Sequence, residues 1–198
     1  NLGLLLQDQG KLKEAEVLFR RALEARERIL VVDHQNTLVS VINLGGLLMK
    51  QGKLNETEVL CRRALEGRER VLGVDHPDTL ISVNDLGSLL QDQGKLKEAE
   101  PLYRRALEVR ERVLGVDHRK TLTSVNTLGT LLEALGKFEE AEILLRRDLE
   151  GSERVLGVDH PDTLISVNDL GMLLKALGKL EEAETLLRRN LEGRERVS

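Results

Sequence analysis

The sequence repeats itself every 42 residues, and this period constrains the fold more than any other feature. Self-similarity at a period of about 20–50 residues is typical of solenoids and other repeat arrays. The 198 residues hold four periods and most of a fifth. The tripeptide that marks the period occurs as Asn1-Leu2-Gly3, Asn43-Leu44-Gly45, Asp85-Leu86-Gly87, Thr127-Leu128-Gly129 and Asp169-Leu170-Gly171. We therefore predict one array of repeats, with approximate boundaries at residues 1–36, 37–78, 79–120, 121–162 and 163–198.

Each period contains two helical patterns. In the third period, apolar and small residues recur at helical spacing, first from Leu80 to Leu90 and then from Leu96 to Val113. Gly94 and Gly115 follow the two patterns, at positions where a left-handed residue closes a helix. The unit is therefore an antiparallel helix pair whose second helix spans about 19 residues, or about 28 Å. Stacked pairs bury the apolar faces that a single pair leaves exposed.

A polar segment, Asp75-His76-Pro77-Asp78-Thr79 at the boundary of the second and third periods, precedes the first helix of a pair. It offers capping groups and a proline suited to a first helical turn. Stacked helix pairs place equivalent atoms about 10 Å apart, whereas zinc ligands converge to about 2.0–2.1 Å from one ion. We therefore predict a repeated turn or capping role, and no metal site, for the histidines, which are His34, His76, His118 and His160.

Composition argues against several classes of function. The net charge of −4 gives no reason to expect a nucleic-acid partner. No apolar run is long enough to cross a membrane, and no secretory signal is visible, so we predict a cytoplasmic protein without membrane contact. Cys61 is the only cysteine and excludes an internal disulfide. Because it takes the place of Phe19 and Tyr103 in other periods, we expect it in the core.

The residues favour one repeat family over the alternatives that share this period. HEAT and armadillo arrays and β-propeller blades also have periods near this length, but two helical halves exclude the propeller. The motifs Ala-Glu-x-Leu-x-Arg-Arg-Ala-Leu-Glu and Leu-Gly-x-Asp-His-Pro-Asp-Thr, together with Leu86-Gly87 and the small residues Ala99 and Ala106, resemble the tetratricopeptide repeat (TPR) of the kinesin light chain type. The resemblance implies an all-α fold, a right-handed α-solenoid of antiparallel helix pairs (the TPR superhelix).

The same resemblance implies a protein–protein interaction scaffold that binds an extended peptide or partner protein in a concave groove lined by the first helices. Residues on the face of the first helix opposite the core vary from period to period, while the core positions barely change. The predicted groove residues are Val39, Asn43, Lys50, Ile81, Asn84, Asp85, Ser88, Asp92, Asn126, Thr130, Glu133, Asn168, Asp169, Met172 and Lys175.

Asn84, Asn126 and Asn168 form a ladder, one per repeat, that is interrupted by Ile42. An amide offers a donor and an acceptor, and can pair with the backbone of an extended peptide. The alternative is that these asparagines hydrogen-bond the neighbouring helix pair. With Asp8 included, acidic groove residues outnumber the two lysines, which favours a neutral or basic ligand. The acidic cargo known for kinesin light chains is therefore not expected here.

No nucleophile–base pair or carboxylate pair stands out from the repeat, so we predict no enzymatic activity, no cofactor and no catalytic residue. Two other functions stay open: a regulatory sensor region of a larger nucleotide-binding or enzyme-containing protein, and a structural spacer. The first and last helices lack polar caps, which predicts a fragment of a longer array or end-to-end self-association. Asp148 and Asn190 replace an alanine and are expected to weaken the last two repeats.

Overall fold

A computed structural model describes residues 2–197, and within this range the chain is built from ten α-helices with no β-strand. The all-α prediction is confirmed, with two helices in each period. The helices are α1 (Leu2–Asp8), α2 (Leu12–Ile29), α3 (Gln35–Lys50), α4 (Leu54–Leu72), α5 (Pro77–Asp92), α6 (Leu96–Leu114), α7 (Arg119–Ala134), α8 (Phe138–Leu156), α9 (Pro161–Ala176) and α10 (Leu180–Val197).

The helices form two compact units, which are described separately. Unit 1, residues 1–95, contains α1 to α5, and unit 2, residues 96–198, contains α6 to α10. Within each unit every helix packs on the next one along the chain, and in unit 2 the first helices of two successive pairs, α7 and α9, also touch. Successive helix pairs therefore stack in the way that the repeat predicts.

The predicted glycine stops close the helices. Gly94 has φ +73° and Gly115 has φ +90°, a left-handed conformation that side chains rarely adopt. A second glycine role appears inside the helices. A Cβ built on Gly129, the counterpart of Gly87, would lie 2.8 Å from Leu145, so the two helices of this pair touch because the glycine has no side chain. The glycine at this position therefore permits close packing of the two helices in unit 2.

The polar segment before each first helix caps that helix. The Nδ1 atom of His160 accepts a hydrogen bond of 3.1 Å from the backbone N–H of Asp162, and His34, His76 and His118 do the same in their repeats. Among the described residues no group of histidine, cysteine or carboxylate side chains could hold a metal ion. The predicted capping role of the histidines is confirmed.

The remaining motif residues tie the same segment to the helix pair. The Thr79 hydroxyl donates a 2.8 Å bond to the carbonyl of Gly73. Asp33 accepts two 2.7 Å bonds from the Arg70 guanidinium, which connects the loop before α3 to the last turn of α4. The aspartate, the histidine and the threonine of this segment are therefore explained by hydrogen bonds that hold the helix pairs together.

We expect replacement of His160 by alanine to destabilise the start of α9. Loss of a side-chain cap costs about 0.5–2 kcal/mol of stability, and hydrogen exchange of the first-turn amides of α9 measures it. The His160→Ser variant is the matched control, since serine restores a capping oxygen. Equal protection in the alanine and wild-type proteins would contradict the capping role.

The outward surface of the second helices is a network of paired charges. Arg104 donates to Glu100 four residues earlier and also to Glu140 in the next repeat. The Lys137 ammonium contacts Glu100 at 2.7 Å, so the lysine that follows each turn glycine links successive pairs. In unit 1 the equivalent lysine holds the pKa of Glu16 at about 2. Exposed pairs of this kind contribute little each, and this surface is a solvated face of mixed charge.

Candidate functional site

In unit 1 the predicted groove residues lie along one face of α3 and α5. Val39 is 42% exposed and Ile81 is 50% exposed, whereas the core leucines one position before them are buried. The predicted polar residues on this face are partly or fully exposed. They are Asn43, Lys50, Asn84, Asp85, Ser88 and Asp92. Unit 1 therefore presents a surface of mixed apolar and polar side chains on its first helices.

A cavity of about 260 Å³ lies between α3, α4 and α5 of this unit. Its floor is apolar or small, with Val41, Cys61 and Ala64, and two of the predicted groove residues, Asp85 and Ser88, line it where it meets solvent. Ligand pockets are typically concave and apolar with a few polar groups at fixed places. The cavity is large enough for one apolar side chain.

The cavity exists because Cys61 is small. The same repeat position holds Phe19 in unit 1 and Leu145 in unit 2, and both of those side chains are buried. The prediction that Cys61 fills the core is wrong, since its side chain is only partly buried and lines the cavity. Burial raises the pKa of the Cys61 thiol to about 11, with Asp85 and Glu58 adding to the effect. The thiol is therefore a weak nucleophile at neutral pH.

In unit 2 the predicted residues lie on α7 and α9. Met172 is exposed and Lys175 lies one turn further along α9. Thr130 is half-buried, and its hydroxyl donates to the carbonyl of Thr127 at 3.0 Å. Burial, aided by the charge of Asp169, raises the pKa of Glu133. The polar side chains of this face are less available to a ligand than those of unit 1, because several of them already bond to one another.

The asparagine ladder in unit 2 is part of such a network. The Asn126 amide nitrogen donates 3.1 Å bonds to Asp148 on α8 and to Asp169 on α9. The Asn168 amide nitrogen lies 3.4 Å from an oxygen of Asp169. Asn126 thus bonds the neighbouring helix pair, as the alternative interpretation of the ladder supposes, and a peptide would have to compete for its donors.

The two replacements of the small alanine are both buried, as expected, and both have partners. Asp148 accepts bonds from Asn126 and from the Ser152 hydroxyl. The Asn190 amide donates to the backbone carbonyl of Leu164. Neither polar group is therefore left without a hydrogen bond. The expectation that an unpaired polar group weakens the last two repeats is wrong in this respect. The cost at Asp148 lies in its charge, since burial raises the pKa of this carboxyl.

No helix in the part of the chain that the structure describes has the length and apolar character that a membrane span requires.

Comparisons with known proteins agree with this architecture. Family models described as tetratricopeptide repeat match residues 38–111 and 81–150, and residues 1–36 and 163–198. No curated protein sequence matches the chain.

Three solved structures illustrate the likeness in fold. A kinesin light chain protein from Podosopora anserina with nearly identical TPR-like repeats is 24% identical with a TM-score of 0.88, over 100% of this chain and 93% of that chain. BtubC (BKLC) from P. vanneervenii is 22% identical with a TM-score of 0.83, over 99% and 78%. YrrB, described as a TPR protein with an unusual peptide-binding site, is 19% identical with a TM-score of 0.64, over 98% and 83%. The chain therefore belongs to the tetratricopeptide repeat family, and its fold is similar to that of the kinesin light chain protein named above.

Proposed function

We propose that this chain binds an extended peptide, or an extended segment of a partner protein, along the exposed faces of its first helices. Proteins of this family are generally protein-interaction scaffolds. The observation that carries the proposal is the cavity between α3, α4 and α5, which meets solvent beside Asp85 and Ser88. The cavity leaves apolar surface of the repeat unfilled by the chain's own side chains, and ligand pockets are typically concave and apolar with a few polar groups.

The cavity accepts an apolar side chain of the peptide. Exposed Ile81 and Met49 lie on the same helices and extend the apolar surface around it. Polar residues alongside, such as Asn84 and Ser88, supply donors and acceptors for a peptide backbone. YrrB, which shares the fold, is described as having a peptide-binding site, and a peptide is the ligand that we propose here.

The ligand is neutral or basic. Asp85 and Asp92 stand on the face of unit 1, and Glu133 and Asp169 stand on that of unit 2. These carboxylates outnumber the lysines of the same faces and attract positive charge. An acidic peptide would meet like charges, so we do not propose the acidic cargo that the repeat type suggests.

Two further expectations from the sequence stay proposals. We propose a cytoplasmic setting, in which the single thiol of Cys61 stays reduced. We also propose that exposed leucines on α1 and α10, such as Leu2 and Leu191, take part in self-association. A monomer molar mass that does not change with concentration in light scattering would contradict the second proposal.

Filling the cavity tests the proposed function. Peptides are selected against the wild-type protein from a displayed random library, and their affinities for the Cys61→Phe variant are measured by calorimetry. Phenylalanine is the residue of the first repeat, so the variant is expected to fold and to bind about tenfold or more weakly, since the apolar pocket is lost. Unchanged affinity for Cys61→Phe would place the ligand elsewhere.

Val59→Ala is the matched control for this experiment. Val59 lies on α4, is 66% exposed, and does not line the cavity. We expect unchanged affinity for this variant. Circular dichroism of both variants checks that a loss of binding is not a loss of folding.

A further inference from the structure

An arginine on the second helix joins one helix pair to the next in most of the array. In unit 1 the Arg68 guanidinium donates bonds of 2.8 Å to the backbone carbonyl of Asp78 and to the hydroxyl of Ser82. Arg26 makes the same two kinds of bond one repeat earlier, and in unit 2 Arg110 donates to the hydroxyl of the equivalent serine. At these interfaces a guanidinium therefore supplies the hydrogen bonds that join the second helix to the next pair.

The interface between α8 and α9 lacks that arginine. Ser152 stands at the position of Arg68 and Arg110, and a cavity of about 290 Å³ lies beside it between α7, α8 and α9. The acceptors that hold the guanidinium elsewhere have their counterparts here in the backbone carbonyl of Asp162 and the hydroxyl of Ser166. The repeat thus keeps the site for a guanidinium but omits the side chain that would occupy it.

A carboxylate has been added to the same cavity. Asp148, which replaces the alanine of other repeats, lines it and is only 2% exposed. It accepts bonds from Asn126 at 3.1 Å and from Ser152 at 3.3 Å, and the Ser166 hydroxyl on the other side of the cavity also stabilises its charged form. The groups that act on this carboxylate are hydroxyl and amide donors and the charge of Asp169, and among the residues that the structure describes no cation is one of them. A buried carboxylate without a counter-ion is costly, and a cation in the cavity would offset that cost.

We propose that this cavity binds the guanidinium of an arginine side chain of the peptide ligand. The planar group has several N–H donors, which match a carboxylate, a carbonyl and a hydroxyl that lie close together. A lysine ammonium lacks this planar array. The methylene stem of the arginine would pack on the apolar lining, Leu122, Leu156 and Ile165. The exposed residues Thr123 and Ile165 place the opening on the face of α7 and α9.

The inference rests on the proposed function, since the arginine belongs to the peptide on α7 and α9. It also sharpens the expected basic character of the ligand. Arg119 lies at the same opening, but its charge is paired with Asp162 at 2.7 Å. The acidic group in the cavity that has no cation as a partner is therefore Asp148.

Titration with N-acetylarginine amide, followed by amide chemical shifts, tests the inference on the whole chain. We expect saturable shifts confined to α7, α8 and α9 in the wild-type protein. In Asp148→Asn the affinity should fall about tenfold or more, because a charge-assisted bond is lost. Ser152→Arg should abolish binding, because it supplies the missing guanidinium from the chain itself. N-acetyllysine amide should bind more weakly than the arginine probe.

Transplanting the site into the preceding interface gives a matched gain-of-function test. Ala106 and Arg110 occupy, on α6, the positions of Asp148 and Ser152. We expect the Ala106→Asp/Arg110→Ser variant to bind N-acetylarginine amide at α6 and α7, and the Arg110→Ser variant, which lacks the carboxylate, not to bind there. Absence of saturable binding to the wild type, equal binding of the lysine probe, or equal binding to Asp148→Asn would each overturn the inference.

The two proposals fail separately. Peptides that bind the wild type and are weakened by Cys61→Phe, in a protein that does not bind the arginine probe, would refute the inference and keep the proposed function. A protein that binds the arginine probe through Asp148 but selects no peptide would support the guanidinium site and contradict the proposed function.

Discussion

Replacing Leu47 by alanine is expected to lower the free energy of unfolding by about 2–5 kcal/mol, as for other large-to-small changes in a packed core. Leu47 is 0% exposed and belongs to the core of unit 1, where Phe19 and Leu23 of α2 meet Val41 of α3. Its removal leaves a cavity shared by α2, α3 and α4, so the loss should extend over the stacked pairs.

Urea denaturation gives the size of this effect, and hydrogen exchange shows where protection is lost. Val59→Ala is the control, since a largely exposed side chain on α4 should change stability by less than about 0.5 kcal/mol. A Leu47→Ala protein as stable as the control would show that this leucine does not hold the pairs together.

The Asp148→Ala variant is expected to be more stable than the wild type at neutral pH, by about 1–3 kcal/mol. The alanine is the residue of other repeats, and it removes a carboxylate whose burial disfavours its charge. Asn190→Ala is the informative comparison. The Asn190 amide has a partner, the carbonyl of Leu164, and its loss should leave stability unchanged or lower it by about 1 kcal/mol.

The pH dependence of this difference follows from the sign of the pKa shift. Burial raises the pKa of Asp148 in the folded protein above the unfolded value, which is about 3.9. The folded wild type therefore binds more protons, and this carboxyl reduces stability as pH rises from the unfolded to the folded pKa. The advantage of Asp148→Ala should be full above the folded pKa and should disappear below about pH 3.9. An advantage independent of pH would exclude the buried charge as its cause.

Much of the fold was predictable because the same short-range signals occur in every period. Gly94 and Gly115 mark helix ends through their backbone conformation, and His160 caps its helix through an atom two residues from its partner. Such features depend on neighbours in the chain, so the sequence displays them. Repetition then separates them from chance, since a pattern that recurs every 42 residues is hard to misread.

The candidate sites were harder to predict because both depend on a side chain that is missing from its usual place. Cys61 was expected in the core because bulky residues fill that position elsewhere, but a smaller side chain leaves a cavity instead. A serine on a helix carries no functional signal by itself, although an arginine stands at the position of Ser152 in other repeats. Aligning the repeats shows both changes: Cys61 is smaller than the residues at its position elsewhere, and Ser152 replaces an arginine.

The asparagine ladder is a case in which the sequence shows the residues but not their hydrogen-bond partners. Its spacing was visible in the sequence, but the partners of Asn126 lie on α8 and on the next first helix, at sequence separations of 22 and 43 residues. The packing of the helices decides which of these partners the Asn126 amide bonds. Spacing alone therefore could not decide between a peptide and a neighbouring helix as the partner.

The measurement that tests the central claim most directly is chemical-shift mapping of a selected peptide on the whole chain. We predict that the shifted amides lie on the first helices α3, α5, α7 and α9 and around the cavity beside Cys61. The paired charges on the outer surface of the second helices, such as Arg104 with Glu140, should be unaffected. Shifts confined to that outer surface, with the first helices unchanged, would contradict the account.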